Sequence, residues 1–357
     1  MTTINDIFRT FGDEYIRRFP NMPPNHYKTI QAISNCRSGK LGTITYQCSD
    51  CKELHVIGIS CGNRHCPGCQ YHKTQQWLQK QLAKQLAEQY FMITFTLPQE
   101  LRLIIRKYQK VGYNALFKAS SEALKKLAKD ERFIGTNLPG FTGVLHTWGR
   151  QLNFHPHIHY IVAGGGLSSD RSEWIPSRKD FYVHIKPLSK LYKNIFKREM
   201  IKGGIIDKIP SYIWEQDWVV DSQAVGKAEA SFKYLAPYVF RVAISNSRII
   251  KLEDQNVFFK YKKSGSNKFK IMKLEVMEFI RRYLQHVLPS GFMKVRHYGF
   301  MNPGCKILFE IIAKLVEIKT GDTIISPVND QDSPLNFCQD CGGILDIVYI
   351  DIPEKPK

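Results

Sequence analysis

No stretch of this 357-residue chain is apolar for long enough to cross a bilayer. The longest runs, such as Tyr90-Phe91-Met92-Ile93-Thr94-Phe95, fall far short of the roughly 20 residues that a spanning helix needs. The first residues, Met1-Thr2-Thr3-Ile4-Asn5-Asp6, lack the basic-then-apolar layout of a secretory signal, so a cytoplasmic location is expected. A Gly-rich loop ending in Lys-Ser or Lys-Thr is also missing, which removes the common cradle for nucleotide phosphates. No internal repeat is present. Acidic residues are the scarce charge, 32 against 51 Lys and Arg, giving a net charge of +19 and a pI near 9.5. Such an excess points to a polyanionic partner, most commonly nucleic acid, although ribosomal and membrane-surface proteins carry similar charge. The basic residues are spread along the chain and not held in a tail, which suggests a broad positive surface or a long groove.

What is present describes a folded protein, with 43% hydrophobic and 12% aromatic residues. The length allows two or three domains, each able to bury its own core. A short amphipathic helix is expected around Ile7, Phe8, Phe11, Tyr15 and Ile16, and another over residues 74–89. Strands are expected at 90–97, 140–148 and 155–163, with a possible fourth at 181–186, and helices at 100–130 and 224–240. A hairpin over 257–261 and 269–272 and an amphipathic helix over 274–287 follow. This pattern predicts an α+β fold, an antiparallel sheet with helices on one face.

Six of the nine cysteines lie between Cys36 and Cys69, as a metal site in a reducing compartment would require. Cys48-Ser49-Asp50-Cys51 and Cys66-Pro67-Gly68-Cys69 are two CxxC pairs fourteen residues apart, suited to one tetrahedral structural zinc. Cys36, Cys61, His65 and His72 lie near enough in sequence to complete a second site or replace a ligand of the first, and Cys36 and Cys61 also fit plain buried thiols. Cys338-Gln339-Asp340-Cys341 looks like half of another knuckle, with no second pair beside it in sequence.

His155-Pro156-His157-Ile158-His159 sets three imidazoles on alternate residues of a strand, hence on one face. Neutral imidazoles so placed can chelate one divalent cation, and three of the chain's eleven histidines in five residues favour that over ordinary hydrogen-bonding roles. His146 reads as a core residue or as a support to that site. In Tyr234-Leu235-Ala236-Pro237-Tyr238 two phenols stand at i, i+4 on one helical face, flanked by Lys233 and Arg241 as candidate phosphate contacts. A tyrosine hydroxyl can attack a phosphodiester, although two tyrosines at this spacing are also common in packing, and Pro237 should kink the helix.

These motifs, in this order, resemble the HUH endonuclease superfamily, and within it the two-tyrosine rolling-circle insertion-sequence transposases with an N-terminal zinc-binding domain. The matching stretches are Cys48-x-x-Cys51, Ser60 to Gln70, His146-Thr147-Trp148-Gly149, His155 to His159, Tyr234-x-x-x-Tyr238 and Leu284 to Gly299, spread over roughly residues 30 to 345. The resemblance implies a zinc-binding, DNA-binding domain at 1–75, an HUH catalytic domain at 76–250 and an accessory region at 251–357. It implies His157 and His159 as ligands of a catalytic Mg²⁺ or Mn²⁺, with His155 or Glu229 as the third ligand, and Tyr234 and Tyr238 as nucleophiles. The activity implied is metal-dependent nicking and strand transfer on single-stranded or hairpin DNA at transposon ends and on target DNA, through a 5′-phosphotyrosine, with the protein at the nucleoid when bound. A non-catalytic zinc-dependent regulator, a degenerate transposase and a metal-dependent hydrolase are the rival readings.

Overall fold

The structure, a computed structural model, describes residues 2–70, 76, 85–227, 242–263, 268–322 and 337–353. Helices α1 (Ile4–Arg18) and α2 (Pro24–Asn35) lead into a hairpin of β1 (Thr43–Cys48) and β2 (Leu54–Gly58). Then come β3 (Gln89–Thr96), α3 (Leu101–Lys107), α4 (Gln109–Lys129), β4 (Leu138–Trp148), β5 (Phe154–Leu167) and β6 (Trp174–Pro176). Next are α5 (Ile185–Lys202), β7 (Val220–Lys227), β8 (Ile249–Glu253), β9 (Asn256–Lys262) and β10 (Phe269–Glu275). The chain continues through α6 (Val276–Leu284), β11 (Val295–Tyr298), α7 (Phe309–Thr320) and β12 (Leu345–Asp351). None of the described helices is long and apolar enough to cross a membrane.

The chain folds into two compact units, and both are assembled from separated segments. One combines Met1–Lys73, Phe240–Val287 and Pro327–Lys357; the other combines Thr74–Val239 and Leu288–Ser326. The division is therefore not the sequential one expected, since residues from 251 onward are shared between both units.

In the first unit α1 begins with a capping box, Thr3 and Asp6 satisfying one another's backbone N–H groups. Its buried face of Ile4, Ile7 and Phe8 joins Ile30 and Ile33 of α2 with Val276, Phe279 and Ile280 of α6. Phe8 meets Tyr283 edge-to-face with ring centroids 5.1 Å apart, and the Tyr283 hydroxyl donates to the His65 carbonyl. Two antiparallel sheets complete the unit, ordered β12-β1-β2 and β10-β9-β8.

The second unit is built on an antiparallel sheet ordered β11-β4-β5-β3-β7, with β6 paired to β5. One face presents Phe91, Ile93, Phe95, Phe141, Leu145, Ile158, Tyr160 and Val162, buried against α4 and α5 through Leu116, Leu124, Tyr192 and Phe196. The other face carries Tyr90, Met92, Ile161 and Ala163, covered by Ile312 and Val316 of α7. Helices thus flank both faces, not one. Three local expectations change as well. Residues 181–186 form no strand, because α5 has begun by Ile185. The expected helix over 100–130 breaks at Tyr108, whose φ of −115° and ψ of 50° are non-helical. Residues 224–227 belong to β7, and the rest of the helix expected up to 240 lies outside the described residues.

Candidate metal centres

The α7 cluster covers one half of its sheet face, and the histidines occupy the same face at the other end of the strands. Burial alternates along β5: Phe154, Pro156 and Ile158 are buried, whereas His155, His157 and His159 are half-buried. β4 supplies a third ring, because its register sets His146 opposite His157. The ligand nitrogens of His146, His157 and His159 all lie within 4.8 Å of one another, close enough for one cation. The ring centroids are 4.9 Å apart for His146 and His159 and 4.8 Å for His157 and His159. His155 is not part of this group, although its ring centroid lies 5.0 Å from that of His157 against 5.4 Å for His146, and the third imidazole of the group comes from β4.

The hydrogen bonds orient the rings. Nδ1 of His157 lies 2.7 Å from the His155 carbonyl oxygen, which can only accept, so Nδ1 carries the proton and Nε2 presents its lone pair. Nδ1 of His159 is 2.9 Å from Oγ1 of Thr94 on β3, the strand that pairs with it there. His146 is only 2% exposed and stacks on Trp148 at 4.6 Å. Burial, followed by the charges of His157 and Arg102, pushes the His155 imidazole down to about 3, so it is neutral near pH 7. Three imidazoles converging in this way suit a divalent cation, which binds them in their neutral form. Sequence reading could have reached His146: a hairpin folded about residues 149–153 sets it across from His157. Nothing local in the sequence marks Thr94.

Tyr234, Tyr238, Lys233, Arg241, Glu229 and His72 lie outside the described residues.

Eight of the nine cysteines form two clusters, both in the first unit. Cys36, Cys61, Cys66 and Cys69 have their sulfurs within 4.8 Å of one another. Cys36 caps the end of α2 and Cys66 starts the turn that leads to Cys69. Cys36–Cys69, Cys61–Cys69 and Cys36–Cys66 are each 3.6 Å apart. A tetrahedron with Zn–S bonds of about 2.3 Å has S···S edges of about 3.8 Å, so the set fits zinc. Hydrogen bonds from Cys61 and Cys66 hold the Cys69 thiol far below its usual range, which favours a thiolate there. Asn5 Nδ2 lies 3.6 Å from Cys66 Sγ, the backbone carbonyl of His65 accepts the Tyr283 hydroxyl, and the four-sulfur group does not include the His65 side chain. Cys48 and Cys51 do not join Cys66 and Cys69. They meet Cys338 and Cys341, because β12 pairs with β1 and returns the end of the chain to the first hairpin.

A basic α+β chain with an imidazole cluster on an antiparallel sheet and four-cysteine clusters in a second unit belongs to the metal-binding class. Comparison with known proteins narrows this. A family model described as "Transposase zinc-binding domain" matches residues 7–97, and one described as "Putative transposase" matches residues 140–307. A protein of Sinorhizobium fredii named "Putative transposase y4qJ" is 34% identical over 318 residues, covering 84% of this chain and 80% of the relative. The "Transposase for insertion sequence element IS801" of Pseudomonas savastanoi pv. phaseolicola is 25% identical over 291 residues, covering 77% of this chain and 70% of that protein. No solved structure matches the chain. The chain belongs to the insertion-sequence transposases that carry an N-terminal zinc-binding domain.

Proposed function

We propose that this transposase nicks single-stranded or hairpin DNA at transposon ends and joins it to target DNA through a 5′-phosphotyrosine, with Tyr234 and Tyr238 as the nucleophiles. The observation that carries this reading is the cluster of His146, His157 and His159, whose nitrogens converge within 4.8 Å on a sheet face. A Mg²⁺ or Mn²⁺ ion held there would polarise the scissile phosphate and offset the charge that builds up on it. The His155 carbonyl keeps the His157 Nε2 lone pair inward, and the Thr94 hydroxyl holds the His159 ring through its Nδ1. The phenol oxygen of one tyrosine attacks phosphorus and gives up its proton, the P–O3′ bond breaks, and the departing oxygen takes a proton to become the 3′-hydroxyl. The second tyrosine repeats the step on the target or the far end. No nucleotide need be hydrolysed, since each phosphotyrosine retains a phosphodiester bond. Lys233, Arg241 and the wider positive surface would hold the DNA backbone, and the protein would sit at the nucleoid when bound.

Labelled single-stranded transposon-end oligonucleotides incubated with Mn²⁺ and resolved on a denaturing gel test this reading. Wild type should give a protein–DNA adduct that His157→Ala and the double variant Tyr234→Phe/Tyr238→Phe abolish. Cleavage without an adduct, unchanged in the double variant, would identify a hydrolase instead.

A further inference from the structure

The C-terminal pair Cys338 and Cys341 lies outside the matched zinc-binding domain, and in the fold it stands against Cys48 and Cys51. Cys48–Cys341 and Cys51–Cys338 are 3.4 and 3.8 Å apart, near the roughly 3.8 Å edge of a tetrahedral zinc–sulfur site.

The two CxxC turns are built alike. In the first, Lys52 N–H donates to the Cys48 carbonyl at 3.2 Å, and Cys48 N–H donates to the Glu53 carbonyl at 3.0 Å. In the second, Gly342 N–H donates to the Cys338 carbonyl at 2.9 Å, and Cys338 N–H donates to the Gly343 carbonyl at 2.7 Å. The residue after the second cysteine is left-handed in both, Lys52 at φ 62° and Gly342 at φ 80°. Two residues past the second cysteine, the Gly343 N–H reaches Cys341 Sγ at 3.5 Å, and the Glu53 N–H makes the matching bond to Cys51. The knuckles interlock, with Ser49 N–H donating to the Ile344 carbonyl at 2.8 Å and Ile344 N–H to Ser49 Oγ at 3.2 Å. A Cβ on Gly343 would sit 2.8 Å from Cys48 Sγ, so the close approach requires glycine there.

Among the described residues the surrounding ribbon has little apolar burial to hold it. Every residue of β12 after Leu345 is exposed, and β2 has no buried residue. A small β element without an apolar core ordinarily depends on a metal or a disulfide. We propose that Cys48, Cys51, Cys338 and Cys341 hold a second structural zinc ion, which fastens the end of the chain to the β1–β2 hairpin. Four thiolates leave no open position, so the ion is structural, and the thiol protons pass to solvent as the Zn–S bonds form. His55 Nε2, 3.3 Å from Cys338 Sγ, is placed to support that thiolate from outside the tetrahedron.

Zinc per chain, measured by plasma mass spectrometry on the purified full-length protein, tests the proposal independently of DNA cleavage. Wild type should hold two zinc ions, whereas Cys338→Ser/Cys341→Ser and Cys66→Ser/Cys69→Ser should each hold one. A single zinc in wild type, or two in Cys338→Ser/Cys341→Ser, overturns it. If that variant does not fold, alkylation of native wild type mapped by peptide mass spectrometry decides. Cys338 and Cys341 should resist labelling until a chelator is added, and equal labelling with and without the chelator refutes the site.

Discussion

Histidines 155, 157 and 159 are equivalent in sequence, yet the structure gives them different surroundings. His157 and His159 converge with His146, whereas His155 contributes its carbonyl to His157 and keeps its ring outside the cluster. Replacing His146 with alanine should therefore suppress adduct formation as severely as His157→Ala, and His155→Ala should retain most activity. Quantitative single-turnover gels will decide, and a dead His155→Ala beside an active His146→Ala would sink the assignment. Thr94→Val removes the hydroxyl beside His159 without changing side-chain shape, and such orienting partners are typically worth about 10–100-fold in metal affinity or activity. The deficit of Thr94→Val should shrink as Mn²⁺ is raised. A deficit independent of Mn²⁺ would show that Thr94 acts otherwise. The alternation of histidines was legible because strand geometry alone determines the face. Their sorting was not, since it depends on which strand pairs alongside.

At the scale of elements, close packing of strands and aromatic rings has left positions where only hydrogen fits. A Cβ on Gly143 of β4 would drive into the ring of Tyr160, which is fully buried and hydrogen-bonded to Ser120 at 2.8 Å. Gly299, at φ 60°, lies against the Pro139 carbonyl, whereas Gly291, at φ 70°, has open space around it. Gly143→Ala should cost about 1–3 kcal/mol through overpacking, and Gly291→Ala about 1–2 kcal/mol through backbone strain alone. Gly299→Ala incurs both penalties and should be the worst of the three. Thermal unfolding followed by circular dichroism gives the order, and a Gly299→Ala variant as stable as Gly291→Ala would contradict the packing. The strands β3, β4 and β5 were legible within a few residues, as were the β9–β10 hairpin and α6, because apolar periodicity is local. The partner of Cys48 and Cys51 was not legible in that way. Proximity in sequence favoured Cys66 and Cys69, but β1 pairs with β12 from the far end of the chain, and the sulfurs follow that pairing.

For the whole molecule the dominant property is charge, and it predicts how DNA is held. An excess of nineteen positive charges spread along the sequence implies that affinity comes from many phosphate contacts. Each phosphate neutralised releases condensed counterion, so log affinity should fall linearly with log salt at about 0.7 per contact on a single strand. A footprint of about eight phosphates would then lose on the order of 10³ in affinity between 50 and 200 mM salt. The cysteine sites make a contrasting demand, because their four-sulfur shells owe nothing to diffuse counterions and should keep zinc across the same range. Fluorescence anisotropy with a labelled single strand, with zinc content measured in parallel, separates the two dependences. A slope near zero with intact zinc would mean that stacking or base contacts hold the DNA and that the basic surface serves another partner. A steep slope with constant zinc would place recognition in the charged surface and leave the metals to shape it.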